Sequence, residues 1–102
     1  MNSVRDNLAE HRFELAVDSN GEFAAAYYRP KGDRIVLTHT EVPEQFSGKG
    51  IASQLARGVF EALRAAGRKA ILVCPFMTAF YARHPEYSDV VDDTAQQEKT
   101  HD

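Results

Sequence analysis

Apolar and polar positions alternate from Arg12 to Val17, with Phe13, Leu15 and Val17 on one side and Arg12, Glu14 and Ala16 on the other. A period of two predicts a half-buried strand over residues 11–17. Asp18-Ser19-Asn20-Gly21 follows as a turn, because Asn and Gly accept positive φ. Residues 22–29 read as a second strand closing on Tyr27 and Tyr28, and Pro30-Lys31-Gly32-Asp33 as a second turn. Residues 34–42 are rich in β-branched side chains (Ile35, Val36, Thr38, Thr40, Val42) and predict a third strand. The three should form an antiparallel meander.

The period then changes. Ile51, Leu55, Val59 and Leu63 recur every four residues, flanked by Ala52, Ala56 and Phe60, which predicts an amphipathic helix over residues 50–66 stopped by Gly67. Gly58, inside it, is expected to mark close packing on the sheet. Lys69 to Cys74 is short and almost wholly apolar, as a buried parallel strand beside the third would be. Pro75 should break it, residues 77–83 should form a short helix, and residues 87–91 a last edge segment. The fold class is α+β: a three-stranded antiparallel meander, a long helix, then a parallel strand and a short helix.

With 102 residues, 43% hydrophobic and 26% charged, the chain suits one globular domain. The expected organisation is an N-terminal extension (1–10), a domain (11–91) and an acidic disordered tail (92–102). The acidic end, from Glu86 to Asp102, holds six acids (Glu86, Asp89, Asp92, Asp93, Glu98, Asp102) against Lys99 alone. The bases are spread rather than gathered in a stripe, which argues against nucleic acid as a partner. A single cysteine excludes an internal disulfide, and the four histidines lack metal-ligand spacing, so no metal is expected. The polar start resembles no signal peptide, and no apolar run is long enough for a membrane helix. A cytoplasmic protein, monomeric or weakly dimeric, is the expectation.

The most informative stretch is Gln45-Phe46-Ser47-Gly48-Lys49-Gly50-Ile51-Ala52, at the start of the long helix. Glycines there let backbone amides approach an anion, the helix dipole favours negative charge, and Lys49 adds a cation. The bland alternative is a glycine-rich lead-in that merely lets the chain turn after Pro43. Two nucleotide motifs fit poorly: the spacing is not that of a P-loop, and the dinucleotide fingerprint lacks its third glycine (Ser53) and its downstream acid.

The whole arrangement resembles the GNAT superfamily of acetyl-CoA-dependent N-acetyltransferases. The resemblance rests on strand-Val-Pro, Gln-x-x-Gly-x-Gly-Ile-Ala, a long helix, a short apolar strand and Ala79-Phe80-Tyr81. More narrowly, His39-Thr40-Glu41-Val42-Pro43, Cys74-Pro75-Phe76 and Arg83-His84-Pro85 are similar to the compact stand-alone members, over residues 11–91. The resemblance implies the acyl-CoA N-acyltransferase fold, with acetyl-CoA as cosubstrate. It also implies that Gln45, Gly48, Lys49, Gly50, Ile51, Ala52 and Ser53 bind the coenzyme A pyrophosphate. Glu41 and Val42 would pair their backbone with pantetheine. In one departure from full-sized members, a tight turn at residues 18–21 stands where helices wall the acceptor site, so the acceptor side should be open and shallow.

Acetyl transfer needs a base for the amine proton and an acid for the leaving thiolate. Cys74 is a candidate covalent acetyl carrier or an inert core cysteine. His39 is a candidate base or a structural histidine, and Glu41 a candidate base acting through water. Tyr81 is a candidate acid, in a position where the superfamily often has a tyrosine, or a core aromatic. The acceptor stays open among protein, polyamine and small amino compounds. A non-catalytic acyl-CoA-binding module is the alternative to an enzyme.

Overall fold

The structure, a computed structural model, describes residues 4–92. Five strands form one mixed sheet in chain order: β1 (Arg5–Asn7), β2 (Arg12–Ala16), β3 (Phe23–Lys31), β4 (Arg34–Glu41) and β5 (Lys69–Leu72). β1 to β4 pair antiparallel, and β5 runs parallel to β4 with Arg34 opposite Lys69 and Leu37 opposite Leu72. Helix α1 (Ile51–Ala66) makes the crossover between β4 and β5, and α2 (Pro75–Arg83) follows β5. The expected meander, long helix and parallel strand are all present.

One face of the sheet carries the core. Phe13 and Leu15, Ala24, Ala26 and Tyr28, Ile35 and Leu37, and Ala70 and Leu72 pack with Leu55, Val59, Phe60 and Leu63 of α1 and Met77 and Phe80 of α2. Fully burying each large side chain contributes roughly 1.5–3 kcal/mol, so the stripe read from the sequence holds α1 in place. Among the described residues no helix is long and apolar enough to cross a membrane.

Four features differ from the sequence expectation. The stretch expected to be an extension contains β1, a polar edge strand held by side chains. Arg5 and Asn7 both donate to the Glu14 carboxylate, and the Tyr28 hydroxyl donates to Asp6 at 2.6 Å. β5 stops at Leu72 rather than Cys74, and α2 begins at Pro75 instead of residue 77. Proline lacks an amide and has a preset φ, so here it opens the helix. Residues 85–90 form a 3₁₀ segment that buries Tyr87 and Val90, three apart as that helix requires; only Val91 bridges to Ala70. Gly58 faces the Val4 side chain rather than the sheet.

The expected tail lies outside the described residues except for Asp92. That residue is tied down, its amide donating to the Ala70 carbonyl at 2.8 Å and its carboxylate accepting from Arg34 at 2.8 Å.

Candidate active site

β4 outruns β5. The last parallel pair is Leu37 with Leu72, whereas β4 continues to Glu41, so residues 38–41 have a strand neighbour on the β3 side only. The amides of Val73 and Cys74 both donate to the Leu37 carbonyl, at 3.0 and 2.9 Å, and the chain then turns away into α2. Across the opening the Thr40 hydroxyl and the Cys74 thiol meet at 3.2 Å. Cys74 is 3% exposed and is the N-cap residue of α2.

A β-bulge decides which side chains share this opening. Tyr28 opposes Leu37 and Tyr27 opposes His39, leaving Thr38 as an extra residue on β4. Strict alternation would put His39 on the core face with Ile35 and Leu37. With Thr38 inserted, Thr40 opposes core-facing Ala26, and His39 joins Tyr27 on the outer face. The structure therefore brings Cys74 together with Thr40 and not with His39. The His39 ring stacks on Tyr27 with centroids 5.9 Å apart and lies 3.7 Å from the Glu41 carboxylate, which also accepts from the Tyr27 hydroxyl.

The glycine loop lies beyond the end of β4. Residues 44–46 form one 3₁₀ turn carrying exposed Gln45. Gly48 and Gly50 then adopt φ of +79° and +76°, a region that costs an ordinary L-residue about 1–2 kcal/mol. Nothing lies within 4 Å of where a Cβ would stand at either position, so the loop is open as well as left-handed. Gly50 is the N-cap residue of α1 and has no side chain to cap the first-turn amides, and that turn holds no acid. Val42, Phe46, Gly48, Gly50 and residues 51–53 line a cleft of about 150 Å³ there, with exposed Lys49 in the same loop.

Tyr81 is half-buried against the core on α2, seven residues on from Cys74 and so about two turns along the same helix. The outer face of the sheet also holds a polar network that sequence reasoning did not single out. Glu14 accepts from Asn7 at 2.8 Å, Arg12 at 2.7 Å and Arg5 at 2.9 Å. Those bonds, Asn7's first, hold its carboxyl at about 2, well below the usual range. The Arg12 guanidinium in turn covers the Phe23 and Tyr27 rings, 4.8 and 5.9 Å from their centroids. Thr40 was also missed, because no local pattern marks a threonine that will face a thiol 34 residues away.

Comparison with known proteins agrees with this architecture. Residues 12–90 match the family described as GCN5-related N-acetyl-transferase. Protein NATD1 of Xenopus tropicalis is 33% identical over 86 residues, which cover 81% of this chain and 79% of that protein. Protein NATD1 of Mus musculus is 30% identical over 83 residues, covering 80% and 76%. The solution structure of a GCN5-like protein from Staphylococcus aureus superposes with a TM-score of 0.65 at 26% identity, covering 88% of this chain and 87% of that one. With a family match over residues 12–90 and a solved neighbour of the same fold over most of both chains, the chain belongs to the GCN5-related N-acetyltransferase family, in its compact form.

Proposed function

We propose that the chain moves an acetyl group from acetyl-CoA to an amine. One juxtaposition carries this reading: the unpartnered edge of β4 runs directly into a left-handed glycine loop and an uncapped helix N-terminus. An extended pantetheine would pair with the backbone edge near Glu41 and Val42. The pyrophosphate would take the amides around Gly48, Lys49, Gly50, Ile51, Ala52 and Ser53, with Gln45 alongside. A thioester held in the opening near Thr40 lies next to the strand that carries His39 and Glu41 on its other face.

In the direct route, His39 removes a proton from the acceptor ammonium, with Glu41 beside it to steady the imidazolium. The amine attacks the carbonyl carbon, the C–S bond breaks, the coenzyme thiolate leaves with a proton from the Tyr81 hydroxyl, and the second proton shed by the new amide nitrogen passes through solvent to restore Tyr81. The deep burial of Cys74 and its Thr40 partner favour this route. A covalent route is favoured by one observation, the place of the Cys74 thiol at the N-terminus of α2, where negative charge is stabilised. There the thiolate takes the acetyl group first, coenzyme A leaves as the thiol, and the acceptor amine then releases Cys74.

Acetyl-CoA turnover with an amine acceptor, measured as free thiol released, tests the proposal. The direct route predicts that Cys74→Ala keeps turnover and that no acetyl group remains on the protein. Loss of turnover in Cys74→Ala, with a hydroxylamine-labile acetyl on the wild type, would establish the covalent route instead. Binding without transfer to any amine would leave an acyl-CoA-binding module, a reading that the uncovered outer face of the sheet also admits.

A further inference from the structure

We infer that the acceptor is a lysine side chain carried on an extended protein segment, seated in a trough across the outer face of the sheet. This rests on the acetyl-transfer reading above. The core residues and both helices occupy one face, so Arg12, Glu14, Phe23, Ala25, Tyr27, His39 and Glu41 lie on a face that no described helix covers. Two hollows open there. One, of about 420 Å³, lies between the 18–21 turn and the end of β4. The other, of about 550 Å³, extends over β1 and β2. They share Gly21, Glu22 and Phe23, which makes one trough spanning four strands, about 15 Å at the usual strand spacing.

Charge gives the trough a direction. The hollow at the β4 end has two charged lining residues, Glu22 and Glu41, both carboxylates. The far hollow is balanced, Arg5 and Arg12 standing against Glu14, which binds both, and the shared Glu22. A cation is therefore attracted to the end nearest the chemistry. Val42 lines both this hollow and the glycine-loop cleft, so the donor and acceptor spaces touch at one residue. His39, against Tyr27 and Glu41, stands at the same end to take the ammonium proton.

Shape selects the carrier. A small polyamine gains affinity from a pocket that encloses most of its surface, and this trough is open along its length. An extended chain instead gains contact from length, and its lysine stem of four methylenes reaches from the trough floor towards the end of β4. Two carboxylates beside one ammonium suit a lysine with a second basic residue close by.

The test compares a peptide carrying lysine next to a second basic residue with spermidine, on the wild type and on Glu22→Gln and Glu22→Lys. The expected result is that the peptide is the better substrate by kcat/KM. Its KM should rise about fivefold in Glu22→Gln and more in Glu22→Lys, with kcat and the calorimetric affinity for acetyl-CoA unchanged. A preference for spermidine, or a peptide KM unmoved by Glu22→Lys, would overturn the inference. So would a wild type that binds acetyl-CoA and acetylates no peptide. Failure of the wild type to bind acetyl-CoA would instead remove the transfer reading on which the inference stands.

Discussion

Gly50→Asp, read against Gly50→Asn, isolates the electrostatics of the loop. The two side chains are nearly isosteric, both tolerate the φ of +76° better than other residues do, and neither Cβ meets an atom within 4 Å. Their difference is one negative charge among the α1 amides. Like charges about 4 Å apart at an effective dielectric of about 20 repel by about 4 kcal/mol. The loop is exposed, and a Debye length of about 8 Å at physiological salt reduces this to about 2.5 kcal/mol. At 1.4 kcal/mol per tenfold, the Asp variant should bind coenzyme A between about 60-fold and 700-fold more weakly than the Asn variant. Titration calorimetry measures the ratio, and raising the salt should narrow it. Pantetheine, which lacks the pyrophosphate, should bind both variants alike. Equal affinity of the two variants for coenzyme A would refute the assignment of the phosphates to this loop.

Three further outcomes are expected. The Glu14 carboxyl, held at about 2 in the folded chain, should stabilise the fold fully above the ordinary carboxylate pKa and progressively less as pH falls below it towards 2. Allowing for exposed Arg5, this amounts to about 2 kcal/mol at neutral pH; urea denaturation should show Glu14→Gln less stable than wild type at pH 7 and nearly equal to it at pH 2. Gly58→Ala gains about 1 kcal/mol in helix propensity but drives its Cβ into Val4, a half-buried side chain of similar worth. Detaching β1 also removes the Arg5 and Asn7 bonds to Glu14, so global stability should fall as β1 comes away; unchanged amide protection at residues 5–7 would contradict the packing. In the transfer assay, His39→Ala should lower kcat by about 100-fold to 10,000-fold and leave acetyl-CoA affinity intact; an unchanged kcat would exclude it as the base.

The parts of the fold governed by a simple period were legible. Alternation predicted β2, β-branched side chains predicted β4, the four-residue repeat predicted α1, and the two glycines before the helix marked the loop as the candidate anion site. What escaped was set by contacts distant in sequence or by a single inserted residue. β1 has almost no apolar content, and its pairing depends on Glu14 binding Arg5 and Asn7 across the strands. Tyr87 and Val91 share a face in a strand and Tyr87 and Val90 share one in a 3₁₀ turn, and the core selects the second. Thr38 matters most for the site, because one extra residue turns His39 from the side of Cys74 to the open face. No alternating pattern reveals where a bulge falls.

The chain-order arrangement of the sheet also bears on when its parts become available during synthesis. Each antiparallel pair closes a short connection, so the surface built from residues 5–41 is spanned by local contacts and can form as it leaves the ribosome. The opening beside Thr40 has to wait, because its second wall starts from a strand delivered only after residues 42–68 have crossed over. A nascent chain can thus pair β1 to β4 well before the wall that carries Cys74 has been made.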